Sequence, residues 1–210
     1  NASEKQFAPK EKPLDTIKFV YHTTPHRGLE LLVPIFDALA KQYPNIHLDV
    51  YSGFEIYGWE QRNEAYKGLF TNIEAHPNMT YHGVKSNEEV LAALDDAHIF
   101  LYPNIWKETS CIALIEAIKS QVICIHPNYG ALPETAQNAT IMYDWNEDPQ
   151  VHANYAFSVA RQVLESMKQN ENYFNGFTYS DRFNLARNSV QSFQVMWNTI
   201  LRNLTNGGQG

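Results

Sequence analysis

In the stretch KETSCIALIEA, Lys107 to Ala117, two glutamates stand eight positions apart on a segment that is otherwise mostly apolar or small. Cys111 to Ile118 is apolar on nearly every face, which predicts a mostly buried helix over 108–120. A carboxylate there needs a reason, because burying one without partners is costly. At about 1.5 Å rise per residue, Glu108 and Glu116 would lie ~12 Å apart along that helix. Paired carboxylates that cleave glycosidic bonds are closer, roughly 5–9.5 Å. The spacing suits the two ends of one extended ligand, such as a nucleotide-sugar, with sugar hydroxyls at one end and ribose hydroxyls at the other. The N–H groups of Thr109, Ser110 and Cys111 would face the diphosphate between them. Spacing alone gives equal weight to a plainer pattern, with Glu108 favoured by the helix dipole and Glu116 a solvated partner of Lys119.

A second polar group precedes another helical pattern. In TTPHRG, residues 23–28, Arg27 can hold a phosphate through two hydrogen bonds, and Thr23 and Thr24 add hydroxyls. A lone arginine at a helix start is also compatible with an ordinary surface position. No G-x-G-x-x-G follows the first strand and no G-x-x-x-x-G-K-[ST] occurs, which disfavours a nicotinamide cofactor and a Walker-type site. No histidine pair has metal-ligand spacing, and none of the histidines is assigned a metal.

The elements that must position these groups alternate regularly. IKFVYH (17–22), IHLDVYS (46–52), MTYH (79–82), HIFLY (98–102), VICIH (122–126) and TIMY (140–143) are strand patterns. Helical spacing marks residues 29–43, 57–70, 86–97 and 108–120. The expected fold is α/β: a Rossmann-like, doubly wound parallel sheet of about six strands with helices on both faces. In the usual order 3-2-1-4-5-6 the loops after strands 1 and 4 diverge to open a crevice, and these are the loops carrying Arg27 and Glu108. Two long terminal helices are expected over 150–168 and 180–204, broken at Asn175-Gly176. Pro34 conflicts with a regular first helix and predicts a kink there or a start only two or three residues before it.

Composition bounds the rest. The chain has 210 residues, 44% of them hydrophobic, which suffices for one real core. A formal net charge of −7 argues against nucleic-acid binding. Cys111 and Cys124 sit in apolar runs and read as core residues in a reducing compartment. No transmembrane segment and no signal-peptide pattern is read, so a cytoplasmic protein is expected, with any membrane association residing in parts outside this chain. Asn-x-Thr acceptors at Asn78, Asn138 and Asn203 are attributed to chance. Residues 1–15 are expected to be tag and linker, 16–204 the domain, and 205–210 a disordered tail.

These motifs together carry a resemblance. E-x7-E at Glu108 and Glu116, the strand VICIH, then Gly130-Ala131-Leu132 and Glu134 resemble the donor-binding C-terminal half of GT-B fold retaining glycosyltransferases of the family 4 type. Thr109-Ser110-Cys111 stands where that family has Gly-Phe-Gly, and Gly130-Ala131 where it has Gly-Gly. YHTTPHRGLELL is similar to its first-loop segment, with His22 where an arginine is usual and Arg27 in place of a lysine. The similarity runs over about residues 14–145. It implies that Arg27, with Lys85 as a second candidate, meets the diphosphate of a UDP- or GDP-linked sugar. Glu108 would bind the transferred sugar, Glu116 the ribose and the main chain at Val84 the base, with Thr23, Thr24 and Gly28 completing the donor site. It implies transfer with retention, no cofactor and no metal. The acceptor, whether saccharide, lipid or protein, would bind largely on an N-terminal domain outside this chain, so the isolated domain should transfer little sugar. Loss of Gly-Phe-Gly and of the first-loop arginine keeps open a non-catalytic nucleotide-sugar-binding module, and the shared fold keeps open a sugar-nucleotide epimerase.

Overall fold

The computed structural model describes residues 3, 10–179, 185 and 188–206. Six parallel strands form one sheet in the order β3-β2-β1-β4-β5-β6. They are β1 (Ile17–Tyr21), β2 (Ile46–Tyr51), β3 (Met79–Gly83), β4 (Ile99–Leu101), β5 (Ile123–Pro127) and β6 (Ile141–Tyr143). Every residue of β4 and β5 is buried, as expected for central strands covered on both faces. In β2 only Ile46, Leu48 and Val50 are buried, so that strand shows period-two alternation. The Rossmann-like architecture expected from the sequence is what forms.

The helices are α1 (Leu29–Ala40), α2 (Lys67–Ala75), α3 (Asn87–Asp96), α4 (Ile112–Lys119), α5 (Leu132–Ala136), α6 (Pro149–Gln169), α7 (Tyr173–Thr178) and α8 (Val190–Asn206). A capping box starts α3, with the Ser86 hydroxyl accepting from the Glu89 N–H while the Glu89 carboxylate accepts from the Ser86 N–H. Asp148 caps α6 through the N–H groups of Gln150 and Val151.

Several boundaries differ from expectation. The helix read over 57–70 is displaced: Glu55–Tyr57 and Glu60–Tyr66 form 3-10 turns and α2 starts only at Lys67. α1 begins five residues before Pro34 and continues through it to Ala40, so the helix does not start only two or three residues before the proline. Asn175-Gly176 lies inside α7 rather than between helices, and α8 starts ten residues later than expected. α8 runs through Asn206, so residues 205 and 206 are helical, while 207–210 lie outside the described residues.

Within the segment expected as linker, Lys12 is buried. Its ammonium donates to the carbonyls of Leu94 (3.1 Å), Ala97 (2.5 Å) and Ser120 (2.7 Å). These carbonyls close the C-terminal ends of α3 and α4, where a cation satisfies orphan acceptors and complements both helix dipoles. Lys12→Met should therefore destabilise the fold by about 2 kcal/mol, measurable as a lowered urea midpoint with unchanged slope.

Candidate functional site

The C-terminal ends of β1 to β3 are laced together by side chain to main chain bonds. The buried Tyr21 hydroxyl donates to the Thr24 carbonyl at 3.0 Å, and Ser52 donates to the Thr23 carbonyl at 2.7 Å. Tyr81 in turn donates to the Ser52 carbonyl at 2.8 Å. The loop after β1 is thereby fixed from beneath and from the side.

Two glycines let the neighbouring loops touch. Gly28 has φ +120°, and a methyl group there would lie 2.2 Å from the Pro103 carbonyl oxygen. Gly130 has φ +61°, and its methyl group would lie 2.8 Å from both the Glu108 nitrogen and oxygen. Only glycine supports such an approach at these dihedrals. The Ala131 N–H then donates to the Glu108 carbonyl at 2.9 Å, fixing the main chain that bears the carboxylate.

That close approach brings Arg27 onto Glu108. The guanidinium reaches the Glu108 carboxylate at 2.5 Å and donates through Nε to the Thr24 hydroxyl at 3.1 Å. The Tyr102 hydroxyl donates to the same carboxylate oxygen at 2.8 Å. The Glu108 side chain is 4% exposed and that of Arg27 21%. Burial alone would lower the Arg27 pKa, but the Glu108 charge, joined by Tyr102, holds it above its ordinary value. Burial pushes the Tyr102 phenol well up, so it serves as a neutral donor.

Beside this pair a cleft of about 230 Å³ opens between the ends of β1, β2 and β3 and the start of α4. Thr23, Thr24, Val84, Lys85 and Glu116 line it, all of them positions singled out in the sequence. Thr24 accepts from Arg27 and also lines the cleft, whereas Arg27 and Glu108 are not among the residues that line it. Glu116 is 7% exposed and faces this cleft, so the solvated alternative for it is corrected, and Lys119 is itself buried. Lys85 is half-exposed, its ammonium 3.9 Å from Glu89.

Three expectations are revised. Glu108 is not on the helix, because α4 starts at Ile112, and the axial distance to Glu116 does not apply. The N–H groups that open α4 are those of Ile112 and Ala113, which line the cleft; Thr109 is exposed, Ser110 half-buried and Cys111 buried at the N-cap. Thr109 to Cys111 therefore form the turn before the helix rather than its tip. Tyr51, Ser52 and Tyr102 were missed, although their places at the ends of β2 and β4 were available as a signal.

His22, where a cation is usual in the resemblance, is uncharged. Burial lowers its pKa to about 4, opposed by a hydrogen bond to the Ala113 carbonyl. Burial likewise lowers His98 and His126 to about 4. All three are neutral when folded, and they protonate near pH ~6.5 once unfolded. Their contribution to stability is complete above about pH 6.5 and is lost as pH falls through about 4. Unfolding near pH ~5 should therefore take up protons, and unfolding near pH ~8 should take up none at these groups; calorimetric melts in buffers of different ionisation enthalpy check this.

The comparisons bear on family and fold. Residues 2–171 match the family model for glycosyl transferases group 1. No curated protein sequence matches the chain. Among solved structures, sucrose-phosphate synthase from Thermosynechococcus elongatus superposes with TM-score 0.70 at 17% identity, covering 93% of this chain and 47% of that one. An alpha,alpha-trehalose 6-phosphate synthase from Burkholderia multivorans gives TM-score 0.68 at 9% identity, covering 93% and 44%. A TarM variant from S. aureus, in complex with UDP among other ligands, gives TM-score 0.65 at 15% identity, covering 95% and 38%. The chain spans less than half the length of each of these proteins. Among the described residues, no helix is long and apolar enough to cross a membrane. A family match over most of its length, carried on a six-stranded parallel sheet, makes the chain a member of the glycosyl transferases group 1 family.

Proposed function

We propose that this chain is the donor-binding half of a retaining glycosyltransferase that takes a nucleoside-diphosphate sugar. The observation that carries the proposal is the Arg27–Glu108 pair standing against a cleft that ends on a second buried carboxylate, Glu116. A diphosphate at the opening of α4 would draw on the N–H groups of Ile112 and Ala113 and on Arg27. Arg27 would then exchange part of its bond to Glu108 for phosphate, freeing the carboxylate to accept sugar hydroxyls. Glu116 would hold the ribose and the main chain at Val84 the base. As the bond to phosphate breaks, negative charge grows on the leaving diphosphate where these donors are already oriented. No divalent ion is assigned a role.

The remainder of the protein supplies the acceptor domain in this proposal. α8 leaves Val195, Met196, Trp197 and Leu201 exposed, an apolar surface suited to packing on further polypeptide. Phe183, in the segment read from the sequence as the start of this terminal helix, lies outside the described residues. One observation favours the alternative of a non-catalytic binding module: neutral His22 leaves fewer cations for the diphosphate than the resemblance implies.

Calorimetry with UDP, GDP, ADP and their sugars tests the assignment. One nucleoside diphosphate should bind, equally well with EDTA or magnesium, and Glu116→Gln should weaken it on the order of tenfold. Absence of binding by all of them would reject the donor site.

A further inference from the structure

The loops around the Arg27–Glu108 pair expose five large apolar side chains, three of them rings. Ile56, Tyr57, Trp59, Ile105 and Trp106 are each between 45% and 61% exposed. They come from the segments after β2 and after β4, at the same end of the sheet as the donor cleft. Monomeric surfaces seldom keep contiguous apolar groups exposed without a use for them.

These rings are held in place. Asn104 is fully buried, and both ends of its amide are spent on Trp106: Oδ1 accepts from the Trp106 N–H at 3.0 Å and Nδ2 donates to the Trp106 carbonyl at 2.6 Å. The Arg62 guanidinium lies 4.4 Å from the Trp59 ring centroid. His26 stacks on Phe54 at 5.4 Å and meets Trp106 edge-on at 4.9 Å, which joins the two tryptophan segments through the residue next to Arg27. Fixing an exposed ring lowers the entropy lost when something stacks on it.

Chemistry selects the occupant. Exposed charged groups, Glu55, Glu60, Arg62 and Lys107, alternate with the rings. The core of an interface between polypeptides is depleted of charge, as the exposed face of α8 is around Met196 and Trp197. Ring faces interleaved with carboxylates and a guanidinium suit a pyranose, which offers apolar C–H faces and a girdle of hydroxyls. Trp106 also stands two residues before Glu108, the residue proposed to hold the transferred sugar, where an acceptor must arrive.

We propose that the Trp59–Trp106 rim is an acceptor subsite for a saccharide, stacking its rings beside Glu108. This rests on the cleft being the donor site, and the test separates the two. The chain has four tryptophans, Trp59, Trp106, Trp145 and Trp197, so indole N–H resonances report each place independently. The probes are glucose, galactose, mannose and N-acetylglucosamine oligosaccharides, each added with and without nucleoside diphosphate. Shifts at Trp59 and Trp106, with Trp145 and Trp197 still, are expected. Trp106→Ala should weaken saccharide binding ~tenfold and leave nucleotide affinity unchanged.

No saccharide shift alongside intact nucleotide binding overturns the subsite and leaves the donor reading standing. Saccharide shifts without nucleotide binding overturn the donor reading and with it the acceptor role. Competition between saccharide and nucleotide, or nucleotide binding weakened by Trp106→Ala, places the rim inside the donor site and overturns the proposal. In the longer protein, indoles buried by polypeptide and silent to saccharide make the rim a domain interface, which also overturns it.

Discussion

Gly28→Ala should lower stability by about 4 kcal/mol and the melting temperature by ~8–16 °C. The added methyl group would meet the Pro103 carbonyl oxygen at 2.2 Å and its carbon at 2.9 Å, at φ +120°. Both are main-chain atoms, so relief requires the loops after β1 and β4 to part rather than a side chain to swing away. Because Arg27 precedes this glycine and Glu108 follows Pro103 by five residues, the ion pair should lengthen and nucleotide affinity should fall with stability. Gly58→Ala is the control: φ is +67° and no atom lies within 4 Å of its methyl group, so only left-handed strain of about 1 kcal/mol is expected. Thermal melts of both variants decide between close approach and general glycine strain.

Arg27→Ala should have a comparable effect for an electrostatic reason. It strands the Glu108 carboxylate, 4% exposed, with the Tyr102 hydroxyl as its remaining side-chain donor. Breaking a buried pair costs roughly 3–5 kcal/mol; Arg27 is itself about a fifth exposed, which places the expected loss near the low end, about 3 kcal/mol. Glu108→Gln in that background removes the stranded charge and should recover ~1–2 kcal/mol, a coupling that a double-mutant cycle in urea measures. Nucleoside diphosphate affinity should still be down on the order of tenfold to a hundredfold in the double variant, since the proposed phosphate ligand is gone. Recovery of affinity together with stability would assign Arg27 a purely structural role.

Much of this was legible in the chain because period and burial coincide there. β4 and β5 are apolar at every position since they are covered on both faces, and β2 alternates where only one face is buried. Strand order followed from regular alternation, and it placed the loops bearing Arg27 and Glu108 side by side. The start of α4 was misplaced because Thr109 and Ser110 are acceptable in a helix's first turn; what excludes them is tertiary. The Gly130 contact and the Ala131 bond to the Glu108 carbonyl fix the main chain just before that turn, and no local pattern encodes them. Residues 57–66 carry helical spacing too, yet they form 3-10 turns capped by aromatic contacts such as Tyr57 on Trp59. The burial of Lys12 was invisible for a similar reason: its acceptors are the carbonyl ends of two helices more than eighty residues away in sequence.

A larger cavity of about 490 Å³ lies at the opposite, N-terminal edge of the strands, lined by Asp15, Lys18, His47, Asn78 and His98. It offers the sharpest contrast for locating the ligand. Amide chemical-shift mapping of the chain with saturating nucleoside diphosphate should move Thr23, Thr24, Val84, Ile112 and Glu116, together with the Arg27 side-chain N–H. Shifts gathered on Asp15, His47 and Asn78, with Arg27 and Glu116 unmoved, would contradict a diphosphate site at the ends of β1 and β4.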